Sequence, residues 1–99
     1  MIGSADRTIN IAFYLVPQFS MLAFSSALET LRMANQLSGQ ALYRWTLVSS
    51  DGREVPCSNG IHFPVEHSAQ TRERYDAVFV CSGLNVHLVK DEPGMQWLR

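Results

Sequence analysis

The front of the chain alternates between a continuous apolar run and an amphipathic stretch. Residues 8–16 are apolar at nearly every position, which is typical of a strand that is covered on both faces in a parallel sheet. Beyond Pro17, which cannot continue the strand, apolar residues recur three and four positions apart and predict a helix with one apolar face. Its apolar residues are Met21, Phe24, Ala27, Leu28, Leu31, Ala34 and Leu37. We expect Ser20 to cap the start of this helix and Gly39 its end.

The remaining apolar segments predict further strands. Residues 42–49 and 77–81 suit core strands, whereas 54–57 and 61–65 each contain a proline and suit sheet edges. The polar stretch 68–75 is expected to hold at most one short helical turn.

The order of these elements predicts an α/β fold with a doubly wound parallel sheet. Helices are expected to begin at residues 85–89 and 95–99. Three core strands and barely two helices would leave one side of the sheet poorly covered. We therefore expect a disordered leader at residues 1–8, followed by the front half of a larger domain at 9–99.

Composition narrows the class of protein. Ninety-nine residues with 46% hydrophobic and 17% charged side chains suit one globular domain. A net charge of -1 leaves no excess of basic residues, so the chain is not expected to bind nucleic acid by itself. The longest apolar run, residues 11–17, is too short for a membrane helix. Two cysteines fit a reducing compartment, and we expect a cytoplasmic protein.

The carboxyl ends of the predicted strands are the candidate binding sites, because ligands of open α/β sheets bind there. These ends are residues 17–20, 49–51 and 81–85. An alternative remains open, in which Ser20 only caps its helix and Gly83 only forms a turn.

Catalytic and metal chemistry have weaker support. Cys81 ends a buried strand before Ser-Gly, but Phe79 stands where a nucleophile elbow requires glycine. We expect a buried, unreactive thiol there. The spacing of His62, His67 and His87 matches no compact zinc pattern, and no glycine-rich cofactor fingerprint follows the first strand. No metal or cofactor is therefore expected.

Several stretches of the chain match the pattern of one known protein family; they are residues 13–23, 27–29, 31–35, 37–39, 42–45, 50–52, 55, 58–61 and 75–83. Together they resemble the N-terminal DJ-1/PfpI-like domain of GlxA-type regulators of the AraC family. The resemblance implies a flavodoxin-like, class I glutamine amidotransferase-like fold. It implies an effector-sensing domain that binds a small metabolite, commonly a nitrogen-containing one such as an amino acid or a quaternary amine.

The same resemblance implies DNA binding only through a C-terminal helix-turn-helix domain that is absent here, no membrane partner, and a homo-oligomeric full-length protein. On strand-end geometry and resemblance, we expect the pocket rim to contain Gln18, Phe19, Ser20, Ser82, Gly83 and Asn85. Gln18 and Asn85 would supply amide hydrogen bonds, Phe19 an apolar or cation-facing wall, and Gly83 close backbone approach.

Two departures from the wider superfamily argue against catalysis. Its enzymes place a Glu near the start of the first helix, where this chain has Ala23. Their catalytic Cys lies on a later strand, so Cys81 does not inherit that role. We expect no enzymatic activity. The alternatives are a truncated stand-alone PfpI-like hydrolase or amidase, and an inactive fragment that is poorly soluble or self-associating.

Overall fold

The computed structural model describes residues 7–71 and 73–83. Within this part of the chain there is one helix, α1 (Met21–Ser38). The strands are β1 (Ile9–Leu15), β2 (Tyr43–Ser49), β3 (Val55–Pro56), β4 (His62–Phe63), β5 (His67–Ser68) and β6 (Ala77–Cys81). The predicted helix and the predicted core strands are thereby confirmed to within one or two residues.

The main sheet has the strand order β5-β2-β1-β6, and all of its pairs are parallel. β1 is central because it buries both faces, as its continuous apolar run predicts. Ile11, Phe13 and Leu15 lie in the core cluster that also contains Phe24 and Leu31 of α1.

α1 begins and ends with the predicted caps. The Ser20 hydroxyl oxygen accepts a hydrogen bond from the Ala23 N–H at 3.2 Å, which satisfies one of the free amides of the first turn. Gly39 takes the left-handed conformation, with φ 69°, and its N–H donates to the carbonyls of Asn35 and Gln36. A side chain at this φ would be strained, so glycine is the natural end of the helix.

The opposite face of the sheet carries a smaller cluster. It contains Ala12, Tyr14, Val16, Val48 and Ala69, with Tyr75 packed against it. β6 contributes Ala77 and Cys81 to the larger cluster, whereas its Val78, Phe79 and Val80 are 36%, 39% and 50% exposed.

The polar stretch after β4 contains a short strand that the sequence pattern did not predict. His67 and Ser68 form β5 and extend the parallel sheet beside Val48 and Ser49 of β2, and a single turn follows, in which the Thr71 N–H donates to the Ser68 carbonyl at 3.0 Å. A two-residue pairing leaves no hydrophobic alternation, so the sequence pattern had no signal for this strand. β3 and β4 pair antiparallel as a separate small sheet.

Some predictions fall on residues at the limits of the described part. The helices expected at 85–89 and 95–99 lie outside the described residues, as do the first six residues of the expected leader. The other two leader residues are held to the fold. Arg7 forms an ion pair with Asp76, and the Thr8 hydroxyl donates to the Ala41 carbonyl at 2.9 Å.

Candidate functional site

Two strand ends meet at the carboxyl edge of the sheet. The segment after β1 runs beside the segment after β6, because these two strands are neighbours. The Val16 N–H donates to the Cys81 carbonyl at 3.0 Å, and the Ser20 N–H donates to the Ser82 carbonyl at 3.1 Å. Five of the six predicted rim residues are therefore brought together: Gln18, Phe19, Ser20, Ser82 and Gly83. Asn85, the sixth, lies outside the described residues.

Gly83 allows these two segments to approach each other. A Cβ atom at this position would lie 2.3 Å from the carbonyl oxygen of Gln18, a separation far inside van der Waals contact. Any side chain would therefore push the two strand ends apart. The glycine is required by the packing of the protein backbone itself.

Gln18 has an unusual backbone conformation. Its φ of 72° makes it the one non-glycine residue with positive φ among the described residues, and such a conformation costs about 1–2 kcal/mol. A hydrogen bond from the Gln18 N–H to the Pro56 carbonyl, at 2.8 Å, helps to hold it. The residue is exposed, so its amide is available at the rim.

Phe19 does not form the surface wall that we expected. Its side chain is fully buried and packs edge-on against Phe24 and Phe63, with ring centroids 5.7 and 5.6 Å apart. Burial of an aromatic ring in this cluster is strongly favourable, which explains why the ring turns inward. Phe19 therefore supports the rim from below instead of presenting a face to a cation.

The two serines differ in their availability. The Ser20 hydroxyl accepts the Ala23 N–H and so caps α1. Capping is the alternative role that the sequence left open for this residue. Ser82 is exposed, and its carbonyl accepts the Ser20 N–H. Among the hydroxyl groups of the predicted rim, that of Ser82 is the more accessible.

A turn between β3 and β4 borders this edge, and sequence reasoning missed it. Phe19 and Cys57 form an isolated parallel bridge, and the Ser58 N–H donates to the Phe19 carbonyl at 2.8 Å. The side-chain oxygen of Asn59 accepts from the Cys57 thiol at 2.6 Å and from the Ile61 N–H at 3.0 Å. The Ser-Asn-Gly turn was noted only as a separator of two edge strands, since periodicity does not show where a turn docks.

Cys81 is a buried thiol at the end of β6, as expected. Burial raises its pKa to about 11, because a thiolate is poorly solvated there. Such a thiol stays protonated near neutral pH and is a weak nucleophile. The first turn of α1 contains no acidic residue.

The end of β2 forms its own local network. The Ser49 hydroxyl donates to the Arg53 carbonyl at 2.9 Å, and the Arg53 N–H donates to the Asp51 carboxylate at 2.9 Å. The Nδ1 atom of His62, in β4, lies 3.1 Å from the Oε1 atom of Glu54, the residue before β3. Among residues 7–71 and 73–83, no three His, Cys, Asp or Glu side chains form a group that could hold a metal ion.

The chain is similar in sequence to HTH-type transcriptional regulators. No family model matches the chain. It is 42% identical over 77 residues to the HTH-type transcriptional regulator GbdR of Pseudomonas aeruginosa, a match over 78% of this chain and 21% of that protein. It is 37% identical over 87 residues to the HTH-type transcriptional regulator CdhR of the same species, over 88% of this chain and 26% of CdhR. The chain thus spans about a fifth to a quarter of the length of these relatives.

Solved structures show the same fold. An AraC family transcriptional regulator from Pseudomonas putida matches with a TM-score of 0.73 and 30% identity, over 85% of this chain and 52% of that one. A DJ-1 superfamily protein from Agrobacterium tumefaciens matches in fold, with a TM-score of 0.61 and 19% identity, over 82% of this chain and 41% of that one. In the described part of the chain, α1 is not apolar enough to cross a membrane. The chain is thus homologous, over the part that it shares with them, to HTH-type transcriptional regulators, and its α/β fold is that of the matching parts of an AraC family regulator and of a DJ-1 superfamily protein.

Proposed function

We propose that this chain is the effector-sensing part of an AraC-family transcriptional regulator that acts in the cytoplasm. It binds a small, nitrogen-containing metabolite at the carboxyl edge of its sheet. Binding shifts the relative population of two arrangements of the protomers. DNA is bound by a helix-turn-helix domain elsewhere in the full-length protein, in agreement with the net charge of -1.

The meeting of the β1 and β6 ends carries this proposal. Gln18 and Ser82 present an amide and a hydroxyl on two segments that are joined by backbone hydrogen bonds. The edge is the usual ligand site of open α/β sheets, and it lies in a chain homologous to transcriptional regulators. Because backbone hydrogen bonds fix the two segments that carry these side chains, less conformational freedom is lost when a small ligand binds between them.

The rim residues have distinct roles in this proposal. The Gln18 amide and the Ser82 hydroxyl bind polar groups of the effector, and Asn85 supplies a further amide. Phe19 and Gly83 position these groups, one by filling the core beneath the rim and the other by allowing close packing of the backbone. Oxygen atoms of neutral amides and hydroxyls are suitable acceptors for the N–H groups of an amino acid.

Isothermal titration calorimetry with panels of amino acids and quaternary amines tests the proposal. We expect at least one compound to bind the chain, and Gln18→Ala and Ser82→Ala each to weaken that binding about tenfold or more, as expected for loss of one buried polar contact. Gln70→Ala is the matched control, because Gln70 is also exposed but follows β5. Absence of binding by every compound, or equal weakening by Gln70→Ala, would contradict the proposal.

The hydrolase alternative has less support from the described residues. A cysteine hydrolase needs an activated thiolate, whereas burial raises the pKa of Cys81 and α1 has no acidic residue in its first turn. Assays of the chain with model amide and ester substrates test whether Cys81 supports hydrolysis by itself. We expect no turnover, and turnover that is lost in Cys81→Ala would favour a hydrolase in which Cys81 is the nucleophile.

A further inference from the structure

The turn between β3 and β4, residues 57–61, contains an Asn-Gly pair. Both Asn59 and Gly60 are exposed. An asparagine side chain can be attacked by the backbone nitrogen of the next residue, and glycine hinders that attack least because it has no side chain. The other asparagines of the described residues, Asn10 and Asn35, precede isoleucine and glutamine. Asn59 is therefore the asparagine of the described part with the least steric protection against cyclisation.

Cyclisation of such a pair leads to loss of the side-chain amide. Hydroxide first removes the proton from the glycine nitrogen, which then forms a bond with the Cγ atom of the asparagine. The Cγ–Nδ2 bond breaks, and ammonia leaves with a proton from water. Water then opens the cyclic imide at either of its carbonyls and gives aspartate or isoaspartate. Water is the only further reactant, and no atom is oxidised or reduced.

The folded turn holds both groups that must react. The Gly60 N–H donates to the Cys57 carbonyl at 2.9 Å, and a proton in such a bond is removed only when the structure opens locally, as in hydrogen exchange. The Asn59 Oδ1 atom accepts from the Cys57 thiol at 2.6 Å and from the Ile61 N–H at 3.0 Å. The Asn59 Nδ2 atom donates to the Met21 sulfur at 3.7 Å. Attack on the side-chain amide therefore requires these hydrogen bonds to break first.

We propose that Asn59-Gly60 is a site of spontaneous deamidation that the folded turn at residues 57–61 protects. This proposal does not depend on effector binding at the rim. Because the reaction requires the turn to open, the modification accumulates in chains in which the turn has opened. It is irreversible, since the ammonia is lost to the solvent.

Deamidation at this position changes the support of the candidate site. The turn is attached to the segment after β1 by the Ser58 N–H, which donates to the Phe19 carbonyl at 2.8 Å. Isoaspartate inserts a methylene group into the backbone between Asn59 and Gly60, so the geometry of the turn cannot be retained. Both products also add a negative charge to the turn. We expect the modified turn to be held less firmly against the rim.

Peptide mapping by mass spectrometry tests the proposal. The 99-residue chain is incubated at one mildly alkaline pH, in native buffer and in urea. In urea we expect Asn59 to gain the mass difference between NH2 and OH faster than Asn10 and Asn35. In native buffer the reaction at Asn59 should be about tenfold slower or more, because hydrogen bonds of the turn must break first. Absence of the modification at Asn59 in urea, or equal rates in the two conditions, would overturn the proposal.

Substitutions of Cys57 separate local protection by the turn from the stability of the whole fold. Cys57→Ala removes the thiol that donates to the Asn59 oxygen, and we expect severalfold faster deamidation in native buffer but an unchanged rate in urea. Cys57→Ser retains a donor and should restore most of the protection. Cys81→Ala is the matched control, since Cys81 is also a buried free cysteine but ends β6. Equal acceleration by Cys57→Ala and Cys81→Ala would show that the turn itself does not protect Asn59.

Discussion

At the scale of single residues, the rim depends on the close contact between Gly83 and the Gln18 carbonyl. The residue with positive φ, Gln18, lies on one side of this contact, and Gly83 lies on the other. A strained residue persists only where its surroundings hold it in place. Here the surroundings are the end of β6 and the Pro56 carbonyl, which accepts the Gln18 N–H.

Gly83→Ala should therefore destabilise the fold. The added methyl group meets the Gln18 carbonyl at 2.3 Å, and overpacking of this kind costs about 1–3 kcal/mol. We expect a lower urea midpoint in equilibrium unfolding. Gly39→Ala is a useful comparison, since it strains the backbone at φ 69° but meets no atom within 4 Å. If Gly83→Ala unfolds at the same midpoint as the parent chain, the close contact is not part of the folded state.

Because the thiol of Cys81 is buried, we expect the folded chain to lose stability at alkaline pH. Its pKa is raised from 9.0 to about 11 in the folded chain, so the folded state retains the proton that the unfolded state loses first. The stabilising effect is complete below pH 9 and is lost as the pH rises from 9 towards 11. We expect the free energy of unfolding to fall across this range in the parent chain.

Cys81→Ala is the control for that titration, because it removes the titrating group and leaves other groups in place. Its free energy of unfolding should fall less steeply over the same pH range. Parallel pH profiles for the two proteins would show that the thiol is not desolvated in the folded chain.

At the scale of elements, a side-chain amide joins the end of α1 to the start of β2. The amide nitrogen of Asn35 donates to the Tyr43 carbonyl, and its oxygen accepts from the Tyr43 N–H, both at 2.9 Å. The connection between the two elements is only four residues long. The Asn35 amide thus satisfies both the N–H and the carbonyl of Tyr43, the first residue of β2.

Asn35→Ala should weaken the whole α1–β2 connection. It leaves a partly buried N–H and C=O of Tyr43 without their partner, which costs about 1–3 kcal/mol. Thermal unfolding followed by circular dichroism measures the change. Gln36→Ala, one residue further along, removes only an exposed hydrogen bond with Arg32 and should shift stability by no more than about 0.5 kcal/mol. Equal effects of the two substitutions would contradict the role assigned to Asn35.

At the scale of the whole molecule, β6 is one of the two edge strands that the main sheet has among the described residues. Val78 and Val80 lie on one face and Phe79 on the other, and all three are at least one third exposed. An exposed apolar edge strand is a template for further pairing and for aggregation. We therefore retain the prediction that the isolated chain self-associates or is poorly soluble.

Val80→Lys should reduce this aggregation. Val80 is 50% exposed, so the lysine can reach solvent without loss of core packing, and charged residues protect natural sheet edges. Light scattering during concentration should fall relative to the parent chain. Gln70→Lys adds the same charge at an exposed residue away from β6 and should have less effect. A parent chain that is a monodisperse monomer with a sharp cooperative melt would contradict the prediction.

The sequence by itself determined the local elements, and only the tertiary structure decided how they meet at the site. Capping by Ser20 and Gly39 and the apolar runs of β1 and β6 are local properties, since they depend on neighbours within one or two turns or along a single strand. The inward turn of Phe19 depends on distant partners such as Phe63 and Cys57. The same is true of the short pairing of β5 with β2. Such contacts leave no periodic signal along the chain, because packing energy is decided by shape and burial in three dimensions.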